Sequence, residues 1–528
     1  MLGAFAKTKS LEPGESQTLT LSIDIEDMAS YDQSVEKAYV LDDGDYVITL
    51  MKNSHEAWGE GEDYSFTYTQ NEKVVYGEDN PRESDNVAAT NQFEDVTAGM
   101  TSVMSRSDFE GTFPTAPEGD DFVASDDVIE GLKEYDPAEH EDASDEMPVT
   151  NQDSGLQLSD MRGLDYDDPA WNSFIQELTV DELAAYVNGV GNASVERLGI
   201  PTTSGIDGPA GLKSVYDVTN ATANNAYTTE VVLASTWNVE LAEKMGVAVG
   251  NEALFSGVSG WYAPGANTHR SPFSGRNFEY MSEDAVLSGK MLAAEISGTS
   301  SKGLYTYMKH FALNDQETNR NNYGGICVWA DEQTIREVYL KAFEIPVKEA
   351  ICEIKYISDE NGTVTTKEIK GCTAMMSSFN RIGTTWAGGS SALLQKILRD
   401  EWGFEGVVCT DAIDGDFMNG DQAVRNGTDL LMTSMLPGSD RASYGGSRTV
   451  ETESATAVKA LQDSCKHILY TVANSSQMNG LVSGTTIKYS LATWQIALIV
   501  VDCVVGALWV IGLIFVIRRV KKNKQIRA

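Results

Sequence analysis

The residues Gly403-Phe404-Glu405-Gly406-Val407-Val408-Cys409-Thr410-Asp411 run from a helix stop to a carboxylate. Before them, Leu393, Leu394, Ile397, Leu398 and Trp402 recur at helical spacing, which predicts a helix over 391–402 with one apolar face. Gly403 is placed to end it. Val407 and Val408 then read as a short strand, apolar on both faces, as in a parallel sheet covered by helices. The strand delivers Asp411 at its C-terminal end, where a (β/α)8 barrel carries its catalytic groups. The same spacing also suits an Asp that caps a following helix.

Outward from this stretch, helical and strand patterns alternate from about residue 164. Thr179 with Glu182 makes a capping box for a helix over 179–187. Residues 200–206 lead into Asp207. An amphipathic segment covers 237–254, a short strand 261–263, and Asp331 caps a helix over 332–350. Such alternation means a parallel sheet, and about 300 residues of it suit a TIM-type barrel. Residues 351–371 interrupt the pattern with a hairpin-like arm whose turn is Asp359-Glu360-Asn361-Gly362. Cys352 and Cys372 flank its base, placed either for a disulfide or for two buried free thiols.

The chain has 528 residues, room for about three domains. Its formal charge of −40, from 39 Lys and Arg against 79 Asp and Glu, argues against nucleic acid or an anionic membrane surface as the partner of the soluble part. A neutral ligand suits it. Six cysteines without a CxxC pair and five histidines offer no metal-ligand spacing, so neither metal nor cofactor is expected.

At the N-terminus, Leu19, Leu21, Ile23 and Ile25 alternate with Thr20, Ser22 and Asp24, the pattern of a half-buried strand. A second run, 46–51, follows the turn signal Asp42-Asp43-Gly44. A small β-sandwich is expected over 1–75. Residues 76–160 are expected to be an acidic linker: 118–146 holds thirteen acidic residues against Lys133 alone. Phe93, Phe109, Phe113 and Phe122 are candidate anchors onto the barrel. The opening residues MLGAFAKTKS lack the apolar segment of a signal peptide.

The C-terminus is different in kind. Residues 494–517 are nearly all apolar, and at 1.5 Å per residue they reach about 36 Å, enough to cross a membrane with tilt. A transmembrane helix is expected over 491–517 and a basic tail over 518–528, which includes the run RRVKKNKQIR. The positive-inside rule then puts the tail in the cytoplasm and the barrel outside the cell. Asp502 is costly within a span and is expected to face a partner helix.

LRDEWGFEGVVCTD (398–411) resembles the nucleophile segment of glycoside hydrolase family 3, the β-glucosidase-type exo-enzymes. GIDGPAGLK (205–213), SGRNFEYMSED (274–284), KHFALNDQETNR (309–320) and SSFNRIG (377–383) resemble further motifs of that family, in its order. The resemblance covers roughly 164–432 and implies a catalytic barrel within 161–475. Residues 3–32 resemble the family's fibronectin-III-like module. That module usually follows the barrel; here it precedes it, as in circularly permuted members, in which an α/β-sandwich domain comes first. A chain that starts after that domain is implied.

The resemblance implies a retaining β-glycosidase, β-glucosidase-like, that hydrolyses terminal non-reducing β-D-glucosyl residues with two carboxylates. Asp411 would be the nucleophile, kept ionised by cationic neighbours. Asp207 would accept hydrogen bonds from two sugar hydroxyls. Lys213 falls where many relatives have Arg, which keeps the charge but not the fork. Arg276, Lys309, His310 and Arg320 would complete a polar cage around the sugar. Phe379 stands where Tyr is common, and Ala412 where Trp is usual. The family's acid/base is a Glu of the α/β-sandwich domain; Glu279, Glu317 and Asp414 do not match it and are assigned no role. The implied partners are an oligosaccharide or β-glycoside, the membrane through the C-terminal helix, and a separate domain bearing the acid/base. The alternative is a non-catalytic, membrane-anchored glycan-binding protein that keeps the sugar cage.

Overall fold

Five short strands pair in parallel, each beside its predecessor in the chain: β1 (Gly205–Asp207), β2 (Gly260–Tyr262), β3 (Tyr305–Phe311), β4 (Ala374–Ser377) and β5 (Val407–Cys409). The computed structural model describes the chain except residues 62, 98–99, 101–114, 117, 189–193, 214–224, 321–323, 360, 433–446, 483, 489–490, 492 and 528. Helices Val239–Ser256, Ala285–Ser300 and Lys341–Glu349 lie between successive strands. This is a TIM-barrel-type architecture. Beyond β5, Cys409 bridges Leu430 in parallel, and the Leu431 N–H donates to the Val187 carbonyl at 2.9 Å. The expected count of eight is not reached in this sheet among the described residues: it holds five strands, and the Cys409–Leu430 bridge extends it beyond β5.

The strand period of two sorts the side chains. Tyr262, Tyr305, Tyr307, Met376 and Cys409 fill one face. Trp261, Met308, Met375 and Val408 fill the other, with Leu292, Ile296, Phe343 and Leu398 from the helices. The helix expected over 391–402 is present as a wide, π-type helix, Ala392–Glu401, and buries Leu393, Leu394, Ile397 and Leu398 completely. Gly403 ends it with φ of 70°. Thr179 and Glu182 form the capping box: the Glu182 N–H donates to Thr179 Oγ1 at 3.2 Å and the Thr179 N–H to Glu182 Oε2 at 2.9 Å. Asp331 Oδ1 accepts from the Thr334 N–H at 2.8 Å, opening a helix that passes through a π-type stretch, Ile335–Leu340, and carries Pro346 inside its last segment.

The arm is an antiparallel hairpin, Ile351–Ile357 against Val364–Lys370. Cys352 and Cys372 stand as free, buried thiols, not as a disulfide. Small apolar side chains of this kind pack well without bridging.

The N-terminal part is β-structured as expected and departs from expectation in its first strand. It forms a three-stranded sheet (Ser30–Asp32, Ala38–Leu41, Val74–Tyr76) and a separate pair (Gly44–Thr49, Ser65–Gln70). Residues 19–24 are not a strand, and Ile25–Met28 is a single turn of 3-10 helix. Leu19, Leu21 and Ile25 are 39%, 45% and 47% exposed. Alternation supplies an apolar face but no ladder, and among the described residues no strand lies beside this segment to pair with it. Instead Leu2 and Phe5 pack on the barrel core, and the Phe5 ring meets Trp237 edge-on at 5.3 Å.

The acidic connector is also corrected, since much of it is fastened to the barrel. Arg336, buried, forks onto Glu332 and Glu401 at 2.8 Å each, donates to the Thr90 carbonyl at 2.8 Å and stands over the Tyr31 ring. Arg82 pairs with Asp85 and Glu344. Glu332 Oε2 accepts from the Gln92 and Phe93 N–H groups. Farther on, Glu141 meets Arg425, Asp145 meets Lys459, and the Val149 carbonyl accepts from Gln462. A compositional rule counts charges and is blind to the partners that receive them. Phe93 is a buried anchor, whereas Phe122 is 73% exposed and anchors nothing. Phe109 and Phe113 lie outside the described residues.

Residues Met1–Thr485 make one compact unit and Thr486–Ala528 a second. The second contains one helix, Thr493–Arg527, of which Thr493–Asn523 is long and apolar enough to cross a membrane by length and composition. The helix does not end where the basic tail was expected to begin at residue 518. Lys and Arg are good helix formers and continue it.

Candidate active site

Asp207, Lys309 and Asp411 extend the tyrosine-lined face of the sheet to its C-terminal end. Asp207 closes β1 opposite Tyr262. Lys309 lies two residues after Tyr307 on β3, and Asp411 two after Cys409, its N–H donating to the Ser377 carbonyl at 3.1 Å. Period-two geometry therefore gathers three residues that are far apart in sequence.

Lys309 is 3% exposed. Its ammonium lies 3.0 Å from Asp207 Oδ1 and 3.0 Å from Glu279 Oε1. Burial pulls its pKa down, but these two carboxylates outweigh it and leave the group above the ordinary lysine value. Glu279 belongs to the single 3-10 turn Asn277–Glu279, which folds it back under Arg276. Arg276 grips it with Nε at 2.8 Å and Nη2 at 2.9 Å. Burial alone would push Glu279 up; Lys309 and Arg276 reverse that and hold it at about 2. Glu279 is thus a fixed anion that aims two cations.

His310 is buried between Arg276, Tyr280 and Asp411. Arg276 Nη2 is 3.1 Å from its Nε2, and Tyr280 Oη 3.2 Å from its Nδ1. A guanidinium only donates, so Nε2 accepts and the proton sits on Nδ1, shared with the tyrosine oxygen. Burial first, then Arg276, Lys309 and Arg320, keep this imidazole neutral, well below its ordinary value. Asp411 Oδ2 lies 3.5 Å from Nε2, a contact and not a hydrogen bond. Asn267 clamps the His310 backbone: its Oδ1 accepts from the His310 N–H at 2.8 Å, and its amide donates to the His310 carbonyl at 3.0 Å.

Asp411 Oδ1 accepts from the Ala412 N–H at 2.7 Å. Its pKa does not follow the expectation. Burial dominates and raises it, against the lowering effect of Arg276, Arg320, the Ala412 N–H and Lys309. Arg320 pairs with Glu317 at 2.6 Å and stacks over Phe379, 4.3 Å from the ring centroid. Glu317 also accepts from Asn314 at 3.0 Å. Lys213 is at the margin: its N–H bonds the Asp207 carbonyl at 2.7 Å and its side chain is exposed.

The arrangement thus brings together Asp207, Arg276, Lys309, His310, Arg320, Phe379 and Asp411, and leaves the Lys213 side chain at the edge. The sequence reading passed over Asn267 and Tyr280, which hold His310, and gave no role to Glu279 and Glu317, which hold the arginines. Tyr280 lies within SGRNFEY, beside Arg276, which was an available signal; Asn267 lies outside the quoted motifs and gave none. Among the described residues no cluster of three or more His, Cys, Asp or Glu side chains is suited to a metal.

Residues 176–469 match the model of the glycosyl hydrolase family 3 N terminal domain, and residues 1–54 that of the fibronectin type III-like domain. The beta-glucosidase A of Butyrivibrio fibrisolvens is 32% identical over 437 residues, which cover 78% of this chain and 47% of that protein. A beta-glucosidase of Ruminococcus albus is 30% identical over 441 residues, 78% of this chain and 39% of the relative. Among solved structures, a beta-glucosidase from Paenibacillus barengoltzii superposes with a TM-score of 0.66 at 26% identity, over 93% of this chain and 50% of the other. The chain thus spans about half the length, or less, of these relatives.

Proposed function

The chain belongs to glycosyl hydrolase family 3, and from that premise we propose that it carries the sugar site and nucleophile of a retaining β-glucosidase-like enzyme. The substrate is a terminal non-reducing β-D-glucosyl residue of an oligosaccharide or glycoside. What carries the reading is the convergence of Asp411, Lys309 and Asp207 on one face at the strand ends, with His310 held neutral beside the nucleophile.

An Asp411 oxygen attacks the anomeric carbon as the glycosidic bond breaks, giving a glycosyl ester; water then displaces the carboxylate and restores the starting configuration. The charged pair Asp207 and Lys309 hydrogen-bonds the hydroxyls of the sugar. The neutral His310 adds no counter-charge that would blunt the attacking oxygen. Protonation of the leaving oxygen falls to a Glu of a separate α/β-sandwich domain, worth about 10²–10⁴-fold with a poor leaving group. The barrel faces the outside of the cell, anchored by the helix Thr493–Arg527.

The test uses 2-deoxy-2-fluoro-β-D-glucosyl fluoride, whose leaving group needs no proton. A mass increase of one fluoroglucosyl group, mapped to the peptide containing Asp411, is expected. Labelling elsewhere, or unchanged labelling of Asp411→Asn, removes this carboxylate from the mechanism. A second reading, a glycan-binding barrel without catalysis, rests on the burial that favours the neutral form of Asp411. It predicts glucose binding with no label at any pH.

A further inference from the structure

The arm lines a cavity on the side where β4 begins, at the opposite end of that strand from the candidate active site. The arm runs from the helix Lys341–Glu349 into the N-terminal end of β4. Between it and the segment after the helix Ala455–Ala473 lies a cavity of about 240 Å³, lined among others by Arg162, Lys355, Tyr356, Asn479 and Leu481. A water takes about 30 Å³ in the liquid, so the space holds a small organic molecule.

Its walls are fixed. Gly163 has φ of 80°, and a Cβ there would lie 2.2 Å from the Tyr356 hydroxyl, so the ring rests against bare backbone. Lys367 on the same arm donates to the Gly163 carbonyl at 2.8 Å and pairs with Asp165 at 2.6 Å. These contacts fasten the hairpin over Arg162.

Arg162 is 9% exposed and has no carboxylate partner among the described residues. One of its nitrogens, Nη2, makes both of its hydrogen bonds, to the Ser475 carbonyl at 3.3 Å and Asn479 Oδ1 at 3.0 Å, and its buried Nε has none. Of the other buried arginines, Arg82 and Arg336 fork onto carboxylates, and Arg381 spends two of its nitrogens, Nε and Nη1, on the Gly324 and Thr384 carbonyls, whereas Arg162 bonds through Nη2 alone. An isolated buried cation is costly, and a guanidinium is shaped to take a planar or tetrahedral oxyanion. Lys355 adds a second positive charge at the mouth, while Leu481 and the Tyr356 ring offer apolar surface. A neutral sugar has no need of either cation.

We propose that this cavity binds a small organic oxyanion, a carboxylate or phosphate monoester, with Arg162 as its anchor and Lys355 as its outer contact.

The full chain would be titrated calorimetrically with phenyl phosphate and with benzoate at fixed ionic strength, against sodium chloride and glucose as controls. Saturable binding of one molecule per chain to either probe is expected, weakened about 10- to 100-fold in Lys355→Met by loss of a charged hydrogen bond and abolished in Arg162→Met. Lys355 is exposed on the arm, so its variant decides the matter even where Arg162→Met fails to fold. Heats no larger than those of chloride for both probes, or equal affinity in wild type and Lys355→Met, overturn the proposal.

Discussion

The ammonium of Lys309 lies 3.0 Å from Oδ1 of Asp207, although β2 separates the strands that carry them. The pair spans the sheet and, with Glu279, sets where two of the site's charges stand.

Lys309→Met removes a buried cation that serves two carboxylates. The labelling rate with the fluoroglucosyl fluoride is expected to fall about 10- to 100-fold, the worth of one charged hydrogen bond. Stability is expected to drop by about 3–5 kcal/mol, because Glu279 loses a partner while buried. Urea unfolding and stopped-time mass spectrometry measure the two separately. Unchanged labelling in a folded variant would remove Lys309 from the sugar site.

Burial raises the pKa of Asp411, so its attacking form is populated only above the ordinary carboxylate range of about 4. The labelling rate should rise with pH through that displaced value. Arg276 is the cation that most opposes the shift, so Arg276→Met should move the limb to still higher pH. A limb at the usual carboxylate value in the wild type would mean that burial does not control this group.

Glu230 and Glu295 are both fully buried, and neither Glu295 oxygen has a hydrogen-bond partner. Burial pushes Glu295 up to about 8 from 4.5. Because the folded value lies above the unfolded one, the neutral acid's contribution to stability is present below about 4.5. It is lost as pH rises towards 8. Glu295→Gln stays neutral throughout. Its melting temperature relative to wild type should therefore be higher at pH 8 than at pH 5; an equal difference at both would show that Glu295 takes up no proton on folding.

Arg336→Met strands Glu332 and Glu401 in the interior and cuts the bond to the Thr90 carbonyl. A loss of about 3–5 kcal/mol is expected by urea unfolding. Limited proteolysis should then cut the N-terminal 100 residues or so earlier than in wild type. A cost under about 1 kcal/mol, the worth of a surface pair, would argue that the network is hydrated.

The barrel and its strand ends were legible because both depend on short-range pattern. Val407 and Val408 can only be a buried strand, and the two-residue period then fixes the direction of Asp411. Lys309 and His310 came from a motif, and the sheet delivers them to the same end. Other features depended on partners that no local window contains. The alternation of 19–25 found no neighbouring strand, and the acidic connector found Arg336, Arg425 and Lys459, and through its own Arg82 also Glu344, hundreds of residues away. Asn267 and Tyr280 carry no local mark of their role; the folded backbone brings both against His310. The pKa of Asp411 depended on burial depth, which sequence does not state, and so the nearby cations were overweighted.

The order of the strands bears on how this chain is made. Each of β2 to β5 pairs with a strand already synthesised, so the sheet can grow unit by unit as the chain emerges. A further link reaches back past the whole sheet: the Leu431 N–H donates to the Val187 carbonyl, joining segments 244 residues apart. Until residue 431 leaves the ribosome, the side of the sheet beyond β5 stays an open edge that can recruit foreign strands. Ribosome stalling between β5 and Leu431 would therefore expose the chain to aggregation, whereas release just after Leu431 would seal that side in a single step.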